Sequence, residues 1–256
     1  LNLNNDKFKN IIKRSNKPLF IIGQGPLSSN NGDNLFHFVL KTYNKLKIDS
    51  NWNGFNVLQN FSGRVGALDL NFFNSKILNK NYINNIYQGK YDVLYLFNAD
   101  ELDFNKIPEK TFVIYQGQHG DRAINRANLV IPTSCFTEKE GTYVNLEGRP
   151  QVSRQVKQPI AGVENAWDFF KKVSSNLNSN IVYNSFSKLR EIMYQAVPHL
   201  SKINHLIQYK IPELKGTSTK LNKDLIKSSI ENFYMTDSVS RNSPVMSSCS
   251  SQISRK

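Results

Sequence analysis

Four short apolar runs, each ended by polar or glycine-containing turn residues, constrain the fold of this chain more than any other feature. Each has the length of a buried strand and is too short for a typical helix. Helical apolar spacing follows the first run, with Leu35, Phe38, Val39 and Tyr43 on one face. Strands that alternate with helices predict an α/β fold with a doubly wound, mostly parallel sheet covered on both faces. The four runs are residues 19–22, 91–97, 111–115 and 128–131.

The pattern divides the chain into three parts. Residues 1–15 are expected to form an N-terminal extension, residues 16–178 an α/β domain, and residues 179–256 a helical segment followed by an extended carboxyl-terminal tail. Within the domain, residues 51–66 are predicted to be a loop and residues 71–85 a surface insertion. Apolar spacing predicts a helix over 186–197 that Pro198 stops. The polar tail is expected to lie across a partner or across the domain surface.

Composition excludes several classes of protein. The 256 residues carry a formal net charge of +13, with 39% hydrophobic residues, as expected of a globular chain. The lysines are scattered, and a bias toward Lys, Asn and Ile is typical of AT-rich genomes, so the charge does not predict nucleic-acid binding. No apolar run approaches the ~20 residues that span a bilayer. Cys135 and Cys249 lie too far apart for a metal or disulfide motif, which indicates a reducing compartment.

The first apolar run continues into a glycine-containing turn formed by Gly23, Gln24, Gly25 and Pro26. Such a turn after a strand can cradle a phosphate with backbone N–H groups. The full dinucleotide motif is missing, and Pro26 removes one donor. A tight connection that needs small residues is the simpler interpretation.

Nucleophilic and metal chemistry are not predicted. His119, Asp121 and Cys135 could form a thiol site, yet a small buried Cys after a strand is ordinary. Asp121 is expected to cap the next helix. The four histidines show no convincing ligand spacing, so no catalytic residue and no metal ligand are assigned.

The most specific segment runs from Glu138 to Arg149. Its charges alternate in sign, and Gly141 and Gly148 are expected to let the backbone turn twice. Such a loop can bind an anionic cofactor, or it can contact a partner protein. The residues alone do not decide between these alternatives.

Several motifs together resemble the large iron–sulfur subunit of respiratory complex I, the 75-kDa subunit of NADH:ubiquinone oxidoreductase. The resemblance is to its carboxyl-terminal half, which is similar to molybdopterin oxidoreductases. It covers residues 16–178 and 231–249 and is weak between 180 and 230. The motifs are residues 51–58, 64–69, 115–121, 127–132, 137–149 and 233–241.

The resemblance implies a structural role. The iron–sulfur ligands of the family belong to an amino-terminal half whose Cys motifs are absent here, and its complex I members are thought to have lost the molybdenum pterin. No cofactor is therefore expected in this chain, whereas the surrounding complex would carry FMN and iron–sulfur clusters. The vestigial candidates for cofactor binding are Gly23, Gly25, Glu138, Gly141, Asn145, Gly148 and Arg149.

The resemblance also implies a location and partners. We expect a separately encoded or cleaved carboxyl-terminal half, peripheral on the matrix side of the mitochondrial inner membrane. Its partners would be the other matrix-arm subunits of complex I, especially the cluster-bearing half of the same subunit. Two alternatives remain open. One is a molybdopterin-binding oxidoreductase domain that retains its cofactor, and the other is a basic scaffold for acidic partners.

Overall fold

A computed structural model describes residues 6–46, 48–49, 51–72, 81–179, 181–207, 228, 230 and 232–253. These residues form two compact units. The first comprises residues 1–66, 143–151 and 202–231, and the second comprises residues 67–142, 152–201 and 232–256. Helices and parallel strands occur in both, which confirms the predicted α/β class. The predicted domain boundaries at residues 15 and 178 stay predictions.

The strands in chain order are β1 (Phe20–Ile22), β2 (Phe55–Val57), β3 (Val93–Phe97), β4 (Phe112–Gly117), β5 (Leu129–Pro132), β6 (Gly141–Val144) and β7 (Pro150–Ser153). The α-helices are α1 (Asp6–Arg14), α2 (Gln24–Leu27), α3 (Gly32–Asn44), α4 (Arg64–Asp69), α5 (Tyr82–Tyr87), α6 (Ala166–Asn176), α7 (Phe186–Ala196), α8 (Ser238–Arg241) and α9 (Pro244–Ile253). Short 3₁₀ helices span Phe104–Lys106, Arg122–Asn125 and Pro198–Ser201.

The first unit is built on two parallel strands. In β1 and β2, Phe20 lies opposite Phe55 and Ile22 opposite Val57. Tyr43 from α3 packs edge-on against Phe20 and Phe55, with ring centroids 5.4 and 5.5 Å away. The helix predicted from the spacing of Leu35, Phe38, Val39 and Tyr43 is therefore present as α3, and its apolar face covers this sheet.

The prediction of a loop over residues 51–66 is wrong in part, since β2 and the start of α4 lie within it. The strand is only three residues long, so its apolar pattern was too short to recognise. Two hydrogen bonds hold the backbone that leads into β2. The Trp52 indole N–H donates to the carbonyl of Pro18 at 2.8 Å, and the Gly54 N–H donates to the Tyr43 hydroxyl at 2.9 Å.

The second unit contains a three-stranded parallel sheet in the order β3–β4–β5. Val93 lies opposite Phe112, and Ile114 lies opposite Leu129. One face packs into the main cluster of buried residues. That cluster consists of Ile86, Leu96, Ile107, Val113, Tyr115 and Ala123.

The second face of this sheet is covered unevenly. Phe170 from α6 packs against Tyr95 and Phe97, with ring centroids 6.0 and 5.8 Å apart. At the other end of the strands, Val93, Phe112 and Leu129 are exposed. Among the described residues of this unit, the predicted coverage of both faces is therefore only partial.

The described part of the carboxyl-terminal region is folded and not extended. The predicted helix over 186–197 is confirmed by α7, where the Ser185 hydroxyl accepts the N–H of Lys188 and Pro198 begins a 3₁₀ turn. Beyond it, the segment that leads into α8 is tied to α9 by a hydrogen bond of 2.7 Å from Asn232 Nδ2 to Ser250 Oγ.

In the predicted surface insertion, residues 73–80 lie outside the described residues, and α5 occupies its end. Among the described helices, none is long and apolar enough to cross a membrane.

Candidate functional site

The most specific sequence segment is largely a β-hairpin. Asn145 organises its turn, because its side-chain oxygen accepts the N–H groups of Glu147 and Arg149, both at 3.0 Å. Gly148 has φ +82°, a left-handed conformation that favours glycine. The expectation of two glycine turns is wrong at Gly141, which begins β6 in a strand conformation.

Arg149 is engaged by its own unit. Its Nη1 donates to the carbonyl of Asn204 at 2.6 Å, and its Nη2 lies 3.5 Å from Glu147 Oε2. The N–H of Asn204 in turn donates to the carbonyl of Pro150 at 2.8 Å. The guanidinium therefore fastens residues 202–204 to the hairpin.

Glu138 serves the backbone of its own turn. Its Oε2 accepts the N–H of Cys135 at 2.9 Å. The preceding Ser134 is fully buried, and its hydroxyl donates to Asn165 Oδ1 at 2.7 Å. Burial lowers the pKa of the half-buried Lys139 ammonium. These contacts fix the connection between β5 and β6.

The glycine-containing turn after β1 is a helical turn rather than a phosphate cradle. Gly23 has φ −81°, and a Cβ placed there would meet no atom within 4 Å, so nothing in the fold requires a glycine. Gln24 Nε2 donates to the carbonyl of Leu58 at 2.8 Å. Gly25 lies in the four-residue α2, which is too short to present the dipole of a full helix.

The seven vestigial candidates are divided between the two units. Asn145, Gly148 and Arg149 share one turn in the first unit, which also contains Gly23 and Gly25, whereas Glu138 and Gly141 belong to the second unit. The polar side chains among them are bonded to the protein's own backbone. The side chains that would have to hold a pterin phosphate are thus engaged in holding the fold.

The contacts of these residues differ from those of a thiol site formed by His119, Asp121 and Cys135. Cys135 is held by the turn that Glu138 closes, and the carbonyl of His119 accepts the Tyr115 hydroxyl at 3.3 Å. Asp121 is the N-cap residue of the following 3₁₀ helix, as predicted, but its side chain makes no capping hydrogen bond there. Its carboxylate is instead turned toward Arg241, 120 residues later in the chain.

Sequence reasoning missed the cluster that Asp121 forms with Asp100 and Arg241. Arg241 Nε donates to Asp121 Oδ2 at 2.6 Å, and its Nη2 lies 2.7 Å from Asp100 Oδ2. All three side chains are at most 10% exposed. The signals in the sequence were an Asp after each of two neighbouring strands and an Arg in a segment that resembles a known carboxyl terminus.

The surroundings set the protonation of this cluster. Burial, and then a hydrogen bond with Asp121, raise the pKa of Asp100. Burial also acts to raise the pKa of Asp121, but hydrogen bonds with Arg241 and Asp100 outweigh it and hold that pKa below its usual value. Burial and the two nearby carboxylates raise the pKa of Tyr115. The pair of carboxyl groups is therefore arranged around one guanidinium.

Other sites in the described residues offer less chemistry. No group of three or more His, Cys, Asp or Glu side chains in this part of the chain is arranged to hold a metal ion. An open groove of about 330 Å³ in the first unit lies beside the hairpin and is lined by residues such as Phe61, Val65, Val144 and Leu146. An open, polar groove of about 610 Å³ in the second unit is lined by Lys171, Ser174 and other residues between α6 and α7.

Two family models match this chain. Residues 1–176 match the model of molybdopterin oxidoreductases, and residues 207–249 match that of the carboxyl-terminal domain of the G subunit of NADH-ubiquinone oxidoreductase. The first match supports the α/β class, and the second contains Arg241 of the missed cluster.

Curated relatives confirm the resemblance drawn from the motifs. The G subunit of NADH-quinone oxidoreductase from Rickettsia bellii is 32% identical over 255 residues, covering 97% of this chain and 35% of that protein. The 75 kDa subunit of NADH-ubiquinone oxidoreductase of Reclinomonas americana is 35% identical over 244 residues, covering 94% and 35%. The mitochondrial 78 kDa subunit of Neurospora crassa is 35% identical over 256 residues, covering 93% and 32%.

The chain thus spans about a third of the length of the curated relatives it matches. The match of one family model to residues 1–176 covers more than half of the 256 residues. The chain therefore belongs to the molybdopterin oxidoreductase family, with a carboxyl-terminal region similar to that of the NADH-ubiquinone oxidoreductase G subunit.

Proposed function

We propose that this chain is a non-catalytic structural part of the large iron–sulfur subunit of respiratory complex I. One observation carries the proposal: the regions matched by the two family models are joined through a buried ion-pair cluster. Arg241 belongs to the region similar to the G subunit, and Asp100 and Asp121 belong to the molybdopterin oxidoreductase region. The second region matches a model of an NADH-ubiquinone oxidoreductase subunit, so the combination favours complex I.

The contacts of the hairpin support a structural role. Asn145 and Arg149, which sequence analysis singled out as inherited cofactor residues, bond to the protein's own backbone. Such residues define the shape of a surface without supplying a reactive group. The chain would then support the cluster-bearing half while electrons pass from NADH through FMN and iron–sulfur centres to ubiquinone.

The names of the relatives suggest where and with what the chain works. Two of them are NADH-ubiquinone oxidoreductase subunits, and the Neurospora protein is named as mitochondrial. We place this chain on the matrix side of the mitochondrial inner membrane, peripheral to it. Its partners would be matrix-arm subunits, foremost the cluster-bearing half of its own subunit.

The test is whether the chain migrates with complex I and whether the hairpin matters for this. A tagged chain is followed by native gel electrophoresis and mass spectrometry of the co-migrating subunits. Arg149→Ala is expected to lower its incorporation several-fold, because the anchor to Asn204 is lost. Arg154→Ala, which removes an exposed arginine nearby, is the matched control and is expected to leave incorporation unchanged. Migration of the chain apart from every complex I subunit would contradict the proposal.

The second candidate is a molybdopterin-binding domain that retains its cofactor, and the family match over residues 1–176 favours it. It predicts extractable pterin and stoichiometric molybdenum or tungsten in the purified assembly. If either tracks this polypeptide through purification, the structural proposal is wrong and the second candidate replaces it.

A further inference from the structure

The cluster of Asp100, Asp121 and Arg241 lies at one edge of the β3–β4–β5 sheet. Asp100 follows the end of β3 by three residues, and Asp121 follows the end of β4 by four. The two strands are parallel neighbours, so both carboxylates lie at the carboxyl edge of one sheet. The N–H of Asn98 donates to the carbonyl of Gln116 at 2.8 Å and extends the pairing to this edge. In open α/β sheets, ligands bind outside the carboxyl ends of the strands.

The cation at this edge comes from the chain itself. Arg241 ends α8, a single helical turn that Asp237 fixes by accepting the N–H groups of Val239 and Ser240 at 2.8 and 2.9 Å. The guanidinium reaches one carboxylate through Nε and the other through Nη2. Two carboxyl groups on different loops are thereby bridged by one planar cation, a geometry that an ammonium group reproduces poorly.

We propose that Asp100 and Asp121 form a guanidinium-binding site at the carboxyl edge of the sheet, and that residues 232–253 are its ligand in cis. The segment occupies the place where a ligand would bind in this type of fold. Its Arg241 supplies one cation to two carboxyl groups that would otherwise be buried without a counter-ion, which is costly. Residues 232–253 are thus an integral part of the second unit, with Arg241 as their ionic anchor, and the Asp100–Asp121 edge is not open to other partners.

The test uses the full chain and follows backbone amide hydrogen exchange in residues 238–253. Arg241→Ala is expected to lower protection there at least roughly tenfold, since it leaves two buried carboxylates unpaired. Guanidinium chloride at about 20 mM, far below denaturing concentrations, should restore most of that protection. Sodium chloride at the same ionic strength should not. Arg122→Ala removes an exposed arginine from the same region and serves as the control.

Two further variants make the assignment specific. Arg241→Lys is expected to lose part of the protection, because one ammonium cannot match both carboxylates. Combining Arg241→Ala with Asp100→Asn and Asp121→Asn should abolish the rescue by guanidinium. Rescue by sodium ions would overturn the assignment, and so would full protection in Arg241→Lys. Either result would mean that any cation serves and that the site does not require guanidinium. Unchanged protection in Arg241→Ala would overturn it too, since residues 232–253 would then be held by other contacts. None of these outcomes depends on membership of complex I.

Discussion

The residue Gly54 is required for the sheet formed by β1 and β2. Gly54 is buried, and its N–H and carbonyl are both bonded, the carbonyl accepting the N–H of Phe20 at 2.7 Å. A Cβ at this position would lie 2.1 Å from the carbonyl oxygen of Pro18. A backbone atom cannot move away as a flexible side chain would, so glycine is required here for space.

Two glycine substitutions test this account against the expectation that the turn after β1 needs small residues. Gly54→Ala is expected to cost about 1–3 kcal/mol of unfolding free energy through overpacking. Gly23→Ala, where a Cβ meets nothing within 4 Å, is expected to change stability by no more than about 0.5 kcal/mol. Urea unfolding followed by tryptophan fluorescence measures both. A large loss in Gly23→Ala together with a neutral Gly54→Ala would reverse the assignment.

Arg126 is the other residue on which local structure depends. Its Nη2 donates to the carbonyls of Pro108 and Thr111 at 2.5 and 2.9 Å, so it holds the connection between β3 and β4. The same guanidinium reaches Asn128 Oδ1 at 3.3 Å, and that oxygen also accepts the N–H of Val113. The arginine therefore secures the approach to two strands of the larger sheet.

Removing this arginine should destabilise the second unit. Arg126→Met keeps most of the apolar stem but leaves these carbonyls without their charged donor, and it is expected to cost about 2–3 kcal/mol. Arg122→Met, at an exposed position four residues earlier, is the matched control and should cost less than about 0.5 kcal/mol. Differential scanning calorimetry of both variants gives the comparison. Equal melting temperatures for the two variants would contradict the role of Arg126.

Among the elements, α8 depends most on its cap. It is four residues long, too short to be stable by propensity, and Asp237 and Ser240 cap each other at its start. Hydrogen bonds from Ser240 and Val239, together with the Thr236 and Ser240 hydroxyls, hold the pKa of Asp237 below its usual value despite partial burial. The helix that delivers Arg241 is thus coupled to the ionisation of a carboxylate.

This coupling gives a pH dependence. Because the folded pKa of Asp237 is lower than the unfolded value of about 3.9, its contribution is present above about pH 4 and is lost as the pH falls through the folded pKa. Asp121 acts in the same direction, whereas Asp100, with its raised pKa, acts oppositely. Pepsin cleavage within residues 232–253 should increase as the pH falls below about 4. Asp237→Asn keeps a neutral cap and should show a weaker pH response. Identical profiles would disprove the coupling.

For the whole molecule, the net charge of +13 and the exposed apolar residues point to different kinds of interface. In the second unit, Val93 and Phe112 are exposed on a sheet face that parallel sheets normally bury. Val156 and Val182, which lie outside the strands of this unit, are also exposed. An interface formed by such apolar residues does not weaken as salt is added, whereas an interface of exposed charge pairs does.

Salt therefore distinguishes a structural subunit from a basic scaffold. At about 0.5 M salt the Debye length is only about 4–5 Å, and partners held by charge alone should dissociate. We expect the chain to stay with its partners in a native assembly at this concentration, as judged by sedimentation and immunoblotting. Its quantitative release would favour the scaffold for acidic partners that composition alone suggested.

The sequence by itself determined the strands that are long enough to show a pattern, the helices at α3 and α7, and the family. It did so because periodicity, turn residues and motif order are local properties of the chain. The need for a small residue at Gly23 and the bonding of the Asp121 side chain were misjudged, because a local pattern does not specify which distant atoms surround a residue.

Only the tertiary structure decided the use of the polar residues. It paired Asp121 and Asp100 with Arg241 across more than a hundred residues, and it turned Arg149 toward Asn204. Burial accounts for the first of these choices, since a charge removed from water must find its counter-ion wherever the fold brings one. Local sequence therefore sets which elements form, while the packed fold sets which charges meet.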